Sequence, residues 1–237
     1  MMAGVWLSMK AEGCFHDPQP CHSSAIAQLI ESYPIKSENV ICHIRQANVG
    51  RVSLANTHPF SRELWGQYWT FAHNGQMHAF IPQAGPFQPV GSTDSEAIFC
   101  DLLNRLRAEF EQRPPLEQLM DYITRACALY ARQGVCNLLI SNGEWLFTLC
   151  TSKLAWITRR APFGPAQLSD VELSVDFKEH TTPNDVVTVI ATAPLTRNES
   201  WHTYAPGEWR LWQGGETLLQ GIVIQCDGEA ARLIPGG

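Results

Sequence analysis

The chain has 237 residues, 45% of them hydrophobic, which is enough for one large domain with a substantial core. Only 17% of the residues are charged and the formal net charge is −6, so the sequence lacks the concentrated positive field that nucleic acid or an anionic membrane surface attracts. The single adjacent basic pair, Arg159-Arg160, is therefore interpreted as solvated or structural. We expect residues 1–237 to form a single domain that binds neither nucleic acid nor membrane.

The eight cysteines are scattered, and none of them forms a C-x-x-C pair. Most lie in apolar runs such as residues 135–139 and 146–150, where free cysteine behaves as a small buried hydrophobic residue. Residues 1–10 contain neither the basic nor the apolar part of a signal peptide, and no apolar run approaches the ~18 residues that a membrane span needs. These features predict a cytoplasmic protein with reduced thiols.

The first third of the chain predicts one helix and two strands. Ser23-Ser24 is typical of a helix N-cap, and that helix is expected to end before Pro34. Residues 40–47 and 68–72 have the pattern of strands, and the second strand is expected to deliver His73-Asn74-Gly75 to a turn at its end.

Two adjacent helices are predicted in the middle of the chain. The first spans residues 93–110, with Thr93 and Glu96 as a capping box and one apolar face formed by Ile98, Leu102, Leu103 and Leu106. The second spans residues 116–132, with Gly134 just beyond its end. Its inward face is expected to contain Leu119, Ile123, Ala126, Cys127 and Tyr130.

The remainder of the chain is rich in predicted strands. Asn142-Gly143, a dipeptide typical of two-residue hairpin turns, separates strands predicted at residues 135–141 and 144–150. Further strands are predicted at residues 155–158, 186–192, 208–212 and 221–225. Strands, then two helices, then more strands predict the α+β class, with helices packed on sheet.

Three polar segments interrupt this apolar pattern: His43-Ile44-Arg45-Gln46-Ala47, Phe71-Ala72-His73-Asn74-Gly75-Gln76 and Gly91-Ser92-Thr93-Asp94-Ser95-Glu96. Each has an ordinary structural alternative, namely a surface salt bridge for Arg45, an Asn-Gly turn for Asn74-Gly75 and a helix cap for Asp94. Taken together and in this order, the segments resemble the glutamine pocket of class II glutamine amidotransferases.

The resemblance implies a fold and a set of roles. The fold is the four-layer αββα sandwich of N-terminal nucleophile hydrolases, with two antiparallel sheets between helices. Arg45 is expected to bind the α-carboxylate of the substrate, and Asp94 its α-ammonium. The Asn74 side chain and the Gly75 backbone N–H are expected to form the oxyanion hole. Thr93 and Glu96 are expected to act as caps.

Other histidines and cofactors have no expected part in this chemistry. Asn56-Thr57-His58-Pro59-Phe60 resembles a pocket-wall element of the family, so His58 is interpreted as structural. His43, His58, His73 and His78 lack the spacing of known zinc sites, and the family uses no catalytic metal. We therefore expect a small-molecule substrate, namely glutamine or a γ-glutamyl compound, and no metal or cofactor.

Later segments of the chain resemble a subgroup of single-domain bacterial relatives. These segments are residues 158–162, 182–185 and 193–196, together with Glu199 and Trp201. Members of that subgroup cleave γ-glutamyl bonds in glutathione-type or ergothioneine-precursor conjugates. Gln46 and Asn48 stand where better-known members carry Trp and Thr, which leaves the substrate open.

The nucleophile of the family is an amino-terminal cysteine whose own amine acts as the base, with a pKa of about 7.7–8.0. The printed sequence begins Met1-Met2-Ala3-Gly4, and residues 3–7 resemble the family's first internal strand. The resemblance thus implies that the cysteine and one central strand are missing. Three explanations remain open: a start codon placed too far downstream, a truncation, or a noncatalytic relative.

Two functions follow as alternatives. One is a glutaminase or γ-glutamyl amide hydrolase that is active in its full-length form and inactive as printed. The other is a binding or regulatory module that holds a γ-glutamyl ligand without cleaving it.

Overall fold

The computed structural model describes residues 2–8, 13–32, 37–45, 52–78, 80–177 and 181–223. Within them lie three α-helices and fourteen strands. The helices are α1 (Ala25–Ser32), α2 (Asp94–Glu109) and α3 (Leu116–Ala131). The strands are β1 (Met2–Ser8), β2 (Gly13–Pro20), β3 (Asn39–Arg45), β4 (Phe60–Leu64), β5 (Gln67–Met77), β6 (Gly134–Ser141), β7 (Leu146–Leu149), β8 (Ala155–Arg160), β9 (Pro165–Gln167), β10 (Ser174–Asp176), β11 (Val186–Ala191), β12 (His202–Thr203), β13 (Glu208–Gln213) and β14 (Glu216–Ile222). The predicted α+β class is confirmed.

The main sheet has six antiparallel strands in the order β14-β13-β7-β6-β5-β4. The long strand β5 pairs with β6 from Thr70 to Met77, but with β4 only from Gln67 to Phe71. The second half of β5 therefore has one edge paired with β6, whereas no strand among the described residues pairs with its other edge beyond the end of β4; this edge is called open below.

Helices α2 and α3 cover one face of this sheet. Side chains alternate between the two faces of a strand, and Trp69 and Phe71 of β5 point into the core under the helices. The Phe71 and Phe99 rings stack with centroids 5.2 Å apart. Both predicted helical faces are confirmed, since every residue named for them is buried.

The opposite face of the sheet packs against a second β layer. Ala72 of β5 belongs to a separate apolar cluster with Ile41 of β3, Tyr204 and Trp212. This layer contains two three-stranded sheets, ordered β2-β1-β3 and β11-β8-β12. The core thus has helices on one side of the main sheet and further strands on the other.

Most predicted elements are confirmed. Ser24 caps α1, because its hydroxyl oxygen accepts a hydrogen bond from Ala27 N at 3.0 Å. Residues 3–7, compared above with an internal strand, lie in β1, between β2 and β3. The strands predicted at residues 155–158, 186–192 and 208–212 correspond to β8, β11 and β13. The strand predicted at residues 221–225 overlaps only the end of β14, which begins five residues earlier at Glu216. Residues 46–47 and 224–225 of the predicted strands lie outside the described residues.

Two turn predictions are wrong. No turn follows Ala72, because β5 continues in register with β6 through Asn74 and Gly75 to Met77. The hairpin after β6 exists, but Ser141 pairs with Leu146, so its loop has four residues instead of two. Trp145 within that loop is buried, with its ring 5.5 Å from that of Trp69.

Gly134 is not a helix C-cap, since it begins β6 opposite Met77. A Cβ atom on it would lie 2.1 Å from Gln76 O, so the residue permits a close approach of two strands. Arg159 and Arg160 are structural, as expected. Arg159 forms a two-pronged ion pair with Glu199, and Arg160 pairs with Glu216.

The thiols fit the expected reduced state wherever they are described. Cys100, Cys127, Cys136 and Cys150 are buried and in no disulfide bond, and Cys42 is exposed and likewise in no disulfide bond. The side chains of the other three cysteines lie outside the described part of the chain. Among the described helices, none combines the length and the apolar character required to cross a membrane.

Candidate active site

The predicted oxyanion-hole residues lie on the open half of β5. Asn74 and Gly75 are exposed, although both belong to a strand within the main sheet. Asn74 O accepts a hydrogen bond from Asn137 Nδ2 of β6 at 3.0 Å. Because C=O and N–H point in opposite directions across a planar trans peptide, the Gly75 N–H points away from β6. The backbone donor is therefore directed toward the edge that β4 leaves open.

Gly75 also meets a steric requirement at this place. A Cβ atom on it would lie 1.8 Å from Val135 O and 2.7 Å from His73 Nε2. Real side chains do not tolerate such contacts, so any larger residue would push β5 and β6 apart. Close approach of the two strands thus explains the glycine as well as any catalytic role would.

His73 is buried behind the strand as a neutral ring. Its Nε2 lies 3.0 Å from Val135 O, and its Nδ1 lies 3.0 Å from Ser95 Oγ. A carbonyl oxygen can only accept, so Nε2 carries the proton and Nδ1 accepts from the Ser95 hydroxyl. Burial lowers the pKa of His73, which keeps the ring uncharged near neutral pH. His73 therefore ties β5 to the start of α2 and to β6.

Asp94 lies beside the same half of β5. Its Oδ2 accepts a hydrogen bond from Met77 N at 2.7 Å, and its Oδ1 accepts one from Ser95 N at 2.9 Å. Met77 is two residues beyond Gly75, so the structure brings Asp94 and the predicted oxyanion-hole residues together. A carboxylate has about four acceptor positions, and two backbone donors therefore leave room for a substrate ammonium.

The capping prediction at the start of α2 is half right. Thr93 caps the helix, since its Oγ1 accepts from Glu96 N at 3.2 Å. The Glu96 carboxylate does not complete the box. It accepts instead from Val90 N and Gly91 N and pairs with Arg62 Nη2 at 2.5 Å. Glu96 thus holds the loop before the helix against β4.

Arg45 is the last residue of β3, and its backbone pairs with Met2 of β1. Its side chain lies outside the described part of the chain, so its predicted contact with the α-carboxylate stays a prediction. Two residues before it, the His43 ring stacks on the His58 ring with centroids 4.1 Å apart. This contact places β3 over the segment that contains His58.

His58 itself fits the structural interpretation. It is buried, and its ring also lies 4.5 Å from that of Phe60. In the described part of the chain, no group of three or more His, Cys, Asp or Glu side chains is arranged to hold a metal ion.

Two buried thiols near the site, Cys136 and Cys100, lack the character of a nucleophile. Cys136 lies opposite Gly75, and burial, followed by the nearby Asp94 charge, raises its pKa to about 12. Burial likewise raises the pKa of Cys100 to about 11. Both side chains stay protonated at neutral pH, and a protonated thiol is a poor nucleophile.

Asn137 is a site residue that sequence reasoning missed. Its side chain is buried, and besides holding Asn74 it accepts from the backbone N–H groups of residues 151–153. These partners are 14 to 63 residues away along the chain, so no local motif signals their contact. The only hint in the sequence is a polar Asn within the apolar run of β6.

The two prominent cavities in the described part of the chain do not contain these residues. One is a cleft of about 510 Å³ beside β4, lined by Arg62, Tyr68 and Glu96 among others. The other is an apolar cavity of about 280 Å³ next to Arg159 and Phe177. The chemistry of Asn74, Gly75 and Asp94 therefore identifies the candidate site better than cavity size does.

Comparison with known proteins gives the class of this chain. The family model of class II glutamine amidotransferases matches residues 6–232, so the chain belongs to that family. Its fold is of the N-terminal nucleophile type, as predicted. The glutamine phosphoribosylpyrophosphate amidotransferase of Bacillus subtilis has a similar fold, with a TM-score of 0.52 at 13% identity, over 95% of this chain and 43% of that one.

Two relatives are much more similar in sequence. YafJ of Escherichia coli (strain K12), which is provisionally assigned as a glutamine amidotransferase, is 50% identical over 214 residues, or 89% of this chain and 84% of YafJ. The crystal structure of a predicted glutamine amidotransferase from Pseudomonas aeruginosa PA01 is 56% identical and has a TM-score of 0.78. The match covers 92% of this chain and 86% of that one.

Proposed function

We propose that this protein hydrolyses the side-chain amide of glutamine or of a γ-glutamyl conjugate, using the open half of β5 as its active site. The supporting observation is the juxtaposition of the exposed Asn74-Gly75 edge with the Asp94 carboxylate. Asp94 reaches Met77 N at 2.7 Å from the first turn of α2. A substrate bound there would have an anionic partner for its ammonium and donors for its oxyanion.

The proposed roles of the site residues follow from the chemistry of their side chains and backbone groups. The guanidinium of Arg45 would bind the α-carboxylate through two parallel hydrogen bonds, and Asp94 would accept from the α-ammonium. The Asn74 amide and the Gly75 N–H would stabilise the oxygen of the tetrahedral intermediate. One such donor contributes about 2.7–4 kcal/mol to transition-state stabilisation.

The nucleophile in this proposal is an amino-terminal cysteine, which the printed sequence does not contain. The thiol would attack the amide carbon, and ammonia or an amine would leave with a proton delivered through the terminal amine. Water would then hydrolyse the thioester and regenerate the thiol. We further propose that the enzyme acts in the cytoplasm and that residues 1–237 belong to one domain, of which they are an N-terminally truncated form.

Two measurements test the proposal. Isothermal titration of the printed chain with glutamine should detect binding that is lost in Arg45→Ala and in Asp94→Ala. Arg107→Ala, on an exposed part of α2, is the matched control and should bind as the parent does. A version extended upstream to an in-frame Met-Cys start should release ammonia or glutamate.

The outcomes separate the two candidate functions. Binding together with hydrolysis by the cysteine form supports the enzyme. Binding without hydrolysis by that form favours the noncatalytic module that holds a γ-glutamyl ligand. If neither form binds glutamine or a γ-glutamyl dipeptide, the proposed site is wrong.

A further inference from the structure

From the contacts of the buried Asn137 side chain, we infer that Asn137 is a positioning residue: it orients the peptide between Asn74 and Gly75 and thereby directs the Gly75 N–H toward the substrate oxygen. The catalytic part of this inference rests on the proposed function. The structural part, that one buried amide fixes this peptide, stands on its own.

Every polar atom of the Asn137 side chain is engaged, although the residue is only 1% exposed. Its Oδ1 accepts from Thr151 N and Ser152 N at 3.0 Å and from Lys153 N at 3.3 Å. Its Nδ2 donates to Asn74 O at 3.0 Å and to Ser152 Oγ at 2.8 Å. Three backbone donors face one atom, which identifies that atom as the oxygen and fixes the orientation of the amide.

This arrangement acts on the Gly75 N–H through the planarity of the peptide. Asn74 O and Gly75 N belong to the same rigid unit, so holding the carbonyl in one direction holds the N–H in the opposite one. A hydrogen bond to the carbonyl oxygen also polarises the unit and strengthens its N–H as a donor. Asn137 therefore influences both the direction and the strength of the proposed oxyanion donor without contacting substrate.

The position requires an amide and accepts no ordinary substitute. A carboxylate could accept from the three N–H groups, but it would place an oxygen against Asn74 O where a donor is now. An apolar side chain would remove the acceptor that these three N–H groups now share. Asn can therefore accept hydrogen bonds from the backbone of residues 151–153 and donate one to Asn74 O at the same time.

The test compares two variants that change different bonds of this network. Asn137→Asp keeps the acceptor for residues 151–153 and removes the donor to Asn74 O. Ser152→Ala removes only the other acceptor of the same NH2 group, so it serves as the matched control. Thermal melts of both variants establish that each one folds.

The first readout needs neither substrate nor nucleophile. In ¹H–¹⁵N spectra of the printed chain, the Gly75 amide resonance should shift or split in Asn137→Asp and stay in place in Ser152→Ala. An unchanged Gly75 resonance in folded Asn137→Asp overturns the inference whether or not the protein is an enzyme.

The second readout uses the cysteine-terminated form. Asn137→Asp should lower kcat at least about tenfold while KM for glutamine stays within about twofold, because the donor acts on the transition state and not on the bound ground state. Ser152→Ala should leave both constants within about twofold. A moved Gly75 resonance with unchanged kcat overturns the catalytic part. Inactivity of the parent form counts against the proposed function, and the spectra then decide the structural part alone.

Discussion

Substituting Gly75 by Ala examines the tightest contact in the candidate site. The new Cβ would lie 1.8 Å from Val135 O and 2.6 Å from Val135 C, where real contacts are 3.0 Å or longer. The two strands must therefore separate by more than about 1 Å, which would strain the hydrogen bond from His73 to the same carbonyl.

The expected cost is that of overpacking, about 1–3 kcal/mol. For a chain of this length each kcal/mol lowers the melting temperature by about 2–4 °C, so Gly75→Ala should melt about 2–12 °C below the parent. In the cysteine form the displaced donor should also lower kcat by about 10²–10³. Differential scanning calorimetry and a steady-state glutaminase assay measure the two effects.

Gly164→Ala is the matched control, because a Cβ at Gly164 meets nothing within 4 Å and its backbone is unstrained. It should melt within about 2 °C of the parent, since surface substitutions usually change stability by less than ~0.5 kcal/mol. If Gly75→Ala melts with the parent, the close approach of β5 and β6 at this residue is wrong. If it melts lower but keeps full kcat, Gly75 has a packing role only.

Three further predictions concern charges around the site. Asp94→Asn should weaken glutamine binding about 10- to 100-fold in a calorimetric titration, because a charged hydrogen bond contributes about 1.5–3 kcal/mol. The control Asp121→Asn, on the exposed face of α3, should bind glutamine as the parent does. Equal affinities of the two variants would mean that Asp94 is not part of the pocket. Burial lowers the pKa of His73, so just below pH 6.5 the unfolded chain binds a proton that the folded chain does not. The free energy of unfolding of the parent should therefore fall by up to about 1.4 kcal/mol per pH unit as the pH falls below about 6.5. In melts from pH 7.5 to 5.5, His73→Gln should lose stability less steeply than the parent, and equal slopes would contradict this prediction. Glu96→Gln weakens an ion pair whose carboxylate is buried and should cost about 1–3 kcal/mol in urea unfolding. Glu144→Gln, in an exposed pair, should cost less than about 1 kcal/mol. Equal costs would mean that Glu96 does not hold its loop in place.

The helices could be predicted from the sequence because their signals are local. Ile98, Leu102 and Leu106 recur with the spacing of one helical face, and all three are fully buried. Thr93 is recognisable as a cap for the same reason, since its partner is Glu96 N, three residues away. Patterns of this kind need no knowledge of what lies across the molecule.

The path of the chain through Asn74-Gly75 could not be predicted in this way. An Asn-Gly pair is typical of a turn, and Asn142-Gly143 does lie in one, with Gly143 at φ 92°. At Asn74 the alternative is an extended strand, and the choice is made by β6, which lies about sixty residues later in the chain. The role of Asn137 could not be predicted for the same reason, because its hydrogen-bond partners come together only when β5, β6 and the turn after β7 assemble.

The four successive residues at the start of α2, Thr93 to Glu96, each have an identifiable role. Successive side chains point in different directions around a helix, so Asp94 can reach Met77 of β5 while Glu96 reaches the loop at residues 90–91 and the edge strand β4. Ser95 lies between them and donates to His73 from the same turn. One helix start therefore fixes two strands and the loop beside them. Because the turn is rigid, a carboxylate on it is held at a constant distance from the open edge of β5, which is the geometric condition that the proposed recognition of an α-ammonium beside an oxyanion hole requires.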